Sequence, residues 1–252
     1  MTENSTSKKL IIFDLDGTLA ESKSSLDVEM SQLLSMLLAR KRIAVISGGF
    51  FPQFEKQVLR QLFQAAHVFM NLYLFPTSGA CAYTYQHGEW CLLYAHNLTG
   101  VEKQKIFNAF EKAFEKLSYT HPARLFGEVI EDRGAQITFS AIGQSAPLAE
   151  KERWKKNNDK RAEIQSELVN FIPEFEVRIS GMTSIDVTKK GIDKAYGIAQ
   201  MEKFLNIPKS EMLFVGDALF EGGNDYPVKA AGVDTIAVTG PEDTKKLIQS
   251  ML

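Results

Sequence analysis

The amino-acid sequence predicts an α/β protein in which a parallel β-sheet is interrupted by an inserted α+β segment. Two observations lead to this fold class. Near both ends of the chain, short apolar runs alternate with helical patterns, which is the order of βαβ units. In the middle of the chain, strand patterns follow one another across short turns, which is typical of antiparallel pairing.

The first third of the chain has the order βαβαβ. Strands are predicted over residues 10–13, 43–46 and 68–75, with helices near residues 26–40 and 54–66. The pattern returns near the end, with a helix near residues 194–205, strands over 212–215 and 235–238, and a last helix that begins at Pro241. These two separated segments are predicted to form one parallel sheet with helical crossovers.

The segment between them has a different pattern. The stretches "CAYTY" and "EWCLLYA" flank a short turn and predict a hairpin. The remaining elements are a helix near 101–117, two strands around a turn near 132–134, a charged helix over 148–169, and the strands "FEVRIS" and "TSIDVTK". We therefore predict a core domain of residues 1–84 and 188–252, with an α+β domain of residues 85–187 inserted into it.

Composition and charge argue against several classes of partner. The 29 lysine and arginine residues nearly balance the 31 aspartate and glutamate residues, so we expect neither nucleic acid nor a membrane surface as a partner. No apolar run approaches the roughly 18 residues of a membrane span. The first eight residues lack the apolar stretch of a signal peptide. Because Cys81 and Cys91 suggest no disulfide framework, the sequence predicts a cytoplasmic protein.

Acidic and polar residues follow the strands of the predicted parallel sheet. They are Asp14 and Asp16 after the first strand, Ser47 and Gly48 after the second, and Asp217, Asn224 and Asp225 after "MLFVG". Ligands collect outside the carboxyl ends of such strands, so we expect these side chains to converge. Carboxylates that converge repel one another unless a cation lies between them, and an all-oxygen set favours Mg²⁺.

A phosphoryl group is the ligand that this arrangement favours. Lys194, a serine hydroxyl and backbone N–H groups exposed by glycine can bind its oxygens beside the cation. One carboxylate can act as the nucleophile and form an aspartyl-phosphate. Its neighbour two residues on can serve as general acid and base, because a tight turn at Gly17 lets both side chains face one centre.

Four motifs resemble those of the haloacid dehalogenase superfamily of phosphotransferases. They are "DLDGT" at 14–18, "VISGG" at 45–49, "GIDK" at 191–194 and "VGDALFEGGND" at 215–225. The resemblance implies a Rossmann-like core and Mg²⁺ as cofactor. It further implies that Asp14 is the nucleophile and a metal ligand, and that Asp16 is the acid and base and binds the metal through its backbone carbonyl. By the same resemblance, Ser47, Gly48 and Lys194 would bind the phosphoryl oxygens and Asp217 would bind the metal. Asn224 and Asp225 would support the lysine or the metal's waters.

The inserted domain resembles the large α/β cap of this superfamily, and nearly the whole chain resembles the phosphomannomutases of eukaryotic type. Supporting stretches are "SGACAYTYQHGEW", "DRGAQITFSAIG" and "SGMTSIDVTKKGIDK". The resemblance implies that Arg133, Ser184 and Asp186 of the cap contact the substrate. Gln144 and Lys151 stand where that family has arginines, and neither reproduces a bidentate guanidinium.

Three functions follow from these observations. The first is a magnesium-dependent phosphatase that acts on a sugar phosphate through an aspartyl-phosphate, which Gln144 and Lys151 favour. The alternative is a phosphomannomutase that interconverts mannose 6-phosphate and mannose 1-phosphate. The third is an inactive phosphosugar-binding protein, which the retained Asp16 argues against. The sugar and the oligomeric state stay open, with a homodimer through the cap as a candidate.

Overall fold

The computed structural model describes residues 8–62 and 66–252, and these residues form two compact units. The first unit comprises the described residues up to Ala95 together with Ile192–Leu252, and the second is His96–Gly191. The first predicted boundary, after residue 84, lies eleven residues before the observed one after Ala95, and it falls inside the predicted hairpin. The difference arises because both hairpin strands pair with the sheet of the first unit.

The first unit is built on a seven-stranded sheet. Its strands are β1 (Leu10–Asp14), β2 (Arg42–Ile46), β3 (Leu72–Phe75), β4 (Cys81–Gln86), β5 (Glu89–Ala95), β10 (Met212–Gly216) and β11 (Asp234–Ala237). They lie in the order β11-β10-β1-β2-β3-β4-β5. The five strands from β11 to β3 are parallel, and the β4–β5 hairpin adds antiparallel strands at one edge. The predicted parallel α/β core is confirmed.

Helices cover both faces of this sheet. They are α1 (Val28–Leu38), α2 (Phe51–Gln57), α3 (Ala66–Phe69), α7 (Lys194–Leu205), α8 (Tyr226–Ala230) and α9 (Pro241–Met251). The side chains of β1 alternate between the two cores, since Ile11 and Phe13 join one apolar cluster while Leu10 and Ile12 join the other. This double burial explains why β1 is a continuous apolar run.

The second unit is an antiparallel sheet with helices. The strands β6 (Ile130–Asp132), β7 (Gln136–Ser140), β8 (Phe175–Ser180) and β9 (Ser184–Lys189) lie in the order β6-β7-β9-β8. The helices are α4 (Gly100–Lys116), α5 (Leu148–Asn158) and α6 (Arg161–Phe171). Apolar residues of β7 and β9, such as Phe139 and Ile185, belong to the same buried cluster as Phe110 of α4. The alternate residues of these two strands are polar, which places polar side chains on the other face.

Three predicted elements differ from the structure. The helix predicted over 54–66 is α2 followed by a 3₁₀ turn at Leu59–Gln61, and residues 63–65 lie outside the described residues. The strand predicted over 68–75 begins only at Leu72, because the preceding apolar residues belong to α3. The charged helix over 148–169 is interrupted at Asp159, whose carboxylate accepts the backbone N–H of Arg161 and begins α6.

None of the helices in the described part of the chain combines the length and apolar character that a membrane span requires. The cytoplasmic location inferred from the sequence stays a prediction.

Candidate active site

Three carboxylates meet at the carboxyl end of the parallel strands. Asp14, Asp217 and Asp225 each offer an oxygen, and these three atoms lie within 4.8 Å of one another. The sheet register explains the meeting of the first two. Phe13 of β1 lies beside Val215 of β10, so both strands end at the same level and deliver Asp14 and Asp217 to one point.

The turn after β1 packs closely against the carboxylate of Asp217. Gly17 has φ +88°, and a Cβ atom at this position would lie 2.6 Å from Asp217 Oδ2. Thr18, which is fully buried, donates from Oγ1 to Asp217 Oδ1 over 3.1 Å. A glycine followed by a hydroxyl residue is therefore required here both by the backbone conformation and by the carboxylate that packs on it.

Lys194 lies between two of the carboxylates. It is the first residue of α7, only 2% exposed, and its Nζ donates to Asp14 Oδ1 over 2.6 Å and to Asp225 Oδ1 over 2.5 Å. The other oxygen of Asp225 accepts the backbone N–H of Ala218 over 3.0 Å. An ammonium group has three hydrogens, so these two bonds leave one for a phosphoryl oxygen. Asp225, whose predicted role is open between the lysine and the metal's waters, contacts the lysine here, and its role stays a prediction.

Burial and charge act in opposite directions at this cluster. Burial raises the pKa of Asp14, Lys194 lowers it and Asp225 raises it again, so that the Asp14 pKa is about 7. Burial would lower the pKa of Lys194, but the two carboxylates outweigh it and raise that pKa above its usual value. Lys194 therefore stays charged, and a proton and a metal cation compete for Asp14.

The residues at this point fit Mg²⁺. All three side chains offer carboxylate oxygens, which are the ligands that this hard cation prefers, and the arrangement leaves coordination positions for water and substrate oxygens. Asp14 and Asp217 would hold the ion, with Asp225 beside them. Asp16 does not join this group through its carboxylate, and its backbone carbonyl as a ligand stays a prediction. Asn224 is exposed beside Asp225, and its role stays a prediction as well.

The loop after β2 can bind phosphoryl oxygens. Ser47 is buried, and its Oγ accepts the backbone N–H of Gly49 over 3.2 Å. This bond uses a lone pair of the oxygen and leaves the hydroxyl hydrogen for an anionic ligand. A Cβ atom at Gly48 would meet nothing within 4 Å, whereas one at Gly49 would clash with the amide of Gln53. The roles of Ser47 and Gly48 as phosphate ligands stay predictions.

Asp16 receives three N–H donors. Its Oδ1 accepts the backbone N–H of Lys23 over 2.5 Å and Nε2 of Gln57 over 3.2 Å, and its Oδ2 accepts Nε2 of Gln53 over 3.3 Å. Neither glutamine is among the site residues predicted from the sequence. Their spacing of four residues on the helix after "VISGG" places them on one face of α2, but this spacing does not distinguish a buried amide from an exposed one.

Two of the three cap residues with an implied substrate contact share one face of the second unit's sheet. Asp186 accepts a hydrogen bond from Thr138 Oγ1 over 2.8 Å, and Ser184 lies on the same face of β9. The third residue, Arg133, donates from Nε and Nη2 to Glu131 Oε2. These contacts place the three residues without testing their roles.

Gln144 and Lys151 are neighbours in space. The buried ammonium of Lys151 donates to the backbone carbonyl of Gln144 over 3.2 Å. Among the described residues, the buried amide nitrogen of Gln144 and the buried hydroxyl of Ser184 have no hydrogen-bond partner. Buried polar atoms are nearly always paired, so these two are candidates to bind a polar ligand.

Comparison with known proteins gives a consistent result. Residues 30–252 match the model of the family described as "Eukaryotic phosphomannomutase". The chain is 30% identical over 246 residues to a phosphomannomutase of Spinacia oleracea, an alignment that covers 94% of this chain and 93% of that protein. It is 27% identical over 261 residues to a phosphomannomutase of Encephalitozoon cuniculi, with coverage of 97% and 94%.

Solved structures share the fold. An IMP-nucleotidase of Plasmodium falciparum superposes with a TM-score of 0.70 and 18% identity, covering 98% of this chain and 70% of that chain. A haloacid dehalogenase-like hydrolase of Bacteroides thetaiotaomicron superposes with a TM-score of 0.64 and 17% identity, covering 97% of this chain and all of that one. Identities this low support a common fold with a cap domain and no more.

Proposed function

The chain belongs to the eukaryotic phosphomannomutase family, and from this membership we propose that it moves a phosphoryl group between two hydroxyls of a sugar phosphate. We propose mannose 6-phosphate and mannose 1-phosphate as the substrates, after the names of the relatives. The first unit would perform the chemistry and the second would select the sugar. Hydrolysis, the principal prediction from the sequence, is supported at the level of the superfamily only, whereas the relatives support its alternative.

The observation on which the proposal rests is the position of Lys194 between Asp14 and Asp225. A buried ammonium group fixes the Asp14 carboxylate and keeps a third N–H for the phosphoryl group, while Asp217 lies within reach of the same point. This arrangement orients a nucleophile and offsets part of the carboxylate charge, and positioning and charge neutralisation are most of what phosphoryl transfer requires. When bound, Mg²⁺ neutralises the negative charge of the transferring group.

The proposed reaction proceeds through a phosphorylated Asp14. An oxygen of Asp14 attacks phosphorus, the bond from phosphorus to the sugar oxygen breaks, and Asp16 gives that oxygen its proton. In the reverse sense, Asp16 takes the proton of a sugar hydroxyl, whose oxygen attacks the phosphorus on Asp14 and restores the free carboxylate. A monophosphate thus becomes a bisphosphate, turns around, and returns its other phosphoryl group to Asp14.

Hydrolysis stays a second candidate because of the second unit. A bisphosphate needs cationic groups for the phosphate remote from Asp14. At position 144 the side chain is a neutral amide, and Lys151 offers a point charge in place of a bidentate guanidinium, while the guanidinium of Arg133 donates to the carboxylate of Glu131. Weak retention of a bisphosphate would favour water as the acceptor.

The test uses the full chain with Mg²⁺ and mannose 1-phosphate, with and without a catalytic amount of a hexose 1,6-bisphosphate. Formation of mannose 6-phosphate supports the mutase, and release of inorganic phosphate supports the phosphatase. Neither product over a broad panel of sugar phosphates would leave the binding protein as the correct alternative. The Asp14→Asn variant is the matched control, since it should lose turnover while keeping its thermal unfolding profile. Comparable turnover in that variant contradicts the nucleophile assignment.

A further inference from the structure

We propose that Gln57, assisted by Gln53, is a positioning residue that holds the carboxylate of Asp16 in the orientation needed for proton transfer. The inference rests on the proposed function, because it requires Asp16 to be the general acid and base. It adds two residues of α2 that donate to Asp16 and lie outside the carboxylate cluster of Asp14, Asp217 and Asp225.

The Asp16 carboxylate accepts three N–H donors. A backbone N–H and two side-chain amides bind its two oxygens. The side chain of an aspartate has two rotatable bonds, and donors on both oxygens restrict both. A general acid must lie within hydrogen-bond reach of the leaving oxygen, so such restriction bears directly on proton transfer.

The amide of Gln57 is itself fixed by hydrogen bonds. The residue is 2% exposed at the end of α2, and the two hydrogens of its Nε2 go to Asp16 Oδ1 and, over 2.6 Å, to the backbone carbonyl of Ser24. Both partners are acceptors, so the amide cannot be reversed without placing its oxygen against two oxygens. The backbone carbonyl of Gln57 also accepts the N–H of Leu26, which fastens the residue to the loop after Asp16.

This orientation of the amide leaves Gln57 Oε1 buried without a partner among the described residues. An unpaired buried acceptor is costly and calls for an explanation. The unpaired acceptor is explained if the two N–H groups of the amide are required where they are, one of them on Asp16.

Gln53 connects Asp16 to the loop after β2, which is predicted to bind phosphate. Gln53 lies so close to Gly49 that any side chain there would clash with its amide. The same amide donates to Asp16 Oδ2. One helix therefore holds the acid–base residue and packs on the loop of Ser47, so that both are positioned together.

The experiment compares two phosphate esters in the Gln57→Met variant, which keeps the volume of the side chain and loses the amide. A sugar phosphate needs a proton on its leaving oxygen, whereas p-nitrophenyl phosphate releases a stable phenolate and does not. We expect kcat for mannose 1-phosphate to fall about 10- to 100-fold, a part of what general acid–base catalysis supplies. KM should stay unchanged. The burst of p-nitrophenolate that accompanies phosphorylation of Asp14 should stay within about twofold of the wild-type rate.

Controls separate positioning from a structural role. Gln165→Met removes a comparable side-chain amide, which donates to the carbonyl of Val177 in the second unit, and should affect neither ester selectively. Gln53→Met should show the pattern of Gln57→Met in weaker form. Equal losses on both esters, or no loss on either, would overturn the positioning role.

The proposed function can fail separately. If Asp16→Asn turns over both esters normally, the acid–base assignment is wrong whatever Gln57 does. If the wild-type chain turns over neither ester, the proposed function is wrong, and this inference is wrong with it.

Discussion

Substitution of Gly17 by alanine should weaken Mg²⁺ binding, and a comparison with a second glycine variant distinguishes this effect from a loss of fold stability. Gly17 has φ +88°, and its Cβ would lie 2.6 Å from Asp217 Oδ2. Gly88, at the tip of the β4–β5 hairpin, has φ +90° and nothing within 4 Å of its Cβ position. The Gly17→Ala and Gly88→Ala variants therefore share the backbone strain, and only the first displaces a carboxylate of the cluster.

The expected loss of unfolding free energy and the expected loss of Mg²⁺ affinity both follow from the structure. An alanine in the left-handed region costs about 1–2 kcal/mol of unfolding free energy, which both variants should lose. Ordinary contact begins at 3.4 Å, which is 0.8 Å beyond the 2.6 Å found here, so Asp217 Oδ2 must move by about that distance. Thr18 opposes the movement through its hydrogen bond to the same carboxylate. Metal ligands tolerate about 0.2 Å, so Mg²⁺ affinity should fall about tenfold or more in Gly17→Ala alone.

The assay is titration calorimetry with Mg²⁺, together with thermal unfolding with and without the ion. The wild-type chain and Gly88→Ala should bind Mg²⁺ equally and be stabilised by it, whereas Gly17→Ala should gain little. Equal Mg²⁺ affinity in Gly17→Ala and the wild type would refute the placement of Asp217 on the ion. Weakened Mg²⁺ binding in Gly88→Ala would show that strain alone, rather than the clash, changes the site.

Two further predictions concern the second unit. Gln144→Arg should raise affinity for a hexose bisphosphate about tenfold, through a charge-assisted contact, and unchanged affinity in a binding titration would remove the reason for hydrolysis. Asp159→Asn should cost about 2 kcal/mol, because the guanidinium of Arg161 is 4% exposed and would lose its counter-ion. Hydrogen bonds from Arg161 lower the pKa of Asp159. The stabilisation that Asp159 contributes is therefore fully present above its pKa in the unfolded chain, near 4, and is lost as the pH falls through its lower pKa in the folded chain. In denaturant unfolding the gap between wild type and variant should close in acid, and a pH-independent gap would contradict the charge argument.

Sequence patterns predicted the parts of this structure that depend on local chemistry. Asp14 and Asp217 follow apolar strands, and the carboxyl ends of parallel strands meet at one edge whatever their order, so their convergence could be expected. The exact register, with Phe13 beside Val215, could not be expected, because it depends on contacts between segments about 200 residues apart. Element boundaries failed where one residue interrupts a helical pattern, as at Asp159, whose extended backbone ends one charged helix and whose carboxylate accepts the first N–H of the next.

The glutamines on Asp16 show a second limit. A glutamine on a helix is ordinarily a solvated residue, and its neighbours in sequence do not distinguish a buried amide from an exposed one. Gln57 is buried only because α2 packs its carboxyl end against the loop that follows Asp16, through the bond from Leu26 to the carbonyl of Gln57. Contacts of this kind become visible when the chain is folded.

The charges of the site explain why cation and phosphoryl group belong together. Three carboxylates and one ammonium leave two negative charges when all are ionised, and burial makes that state costly, as the raised pKa of Asp14 shows. A divalent cation held by these carboxylates would cancel both charges, and Asp14 would then carry no proton. The site would be neutral for a phosphoryl dianion, which the third hydrogen of Lys194 and the Ser47 hydroxyl could bind beside the cation. Because a carboxylate cluster alone would repel that dianion, Mg²⁺ and the phosphoryl group should each strengthen the binding of the other.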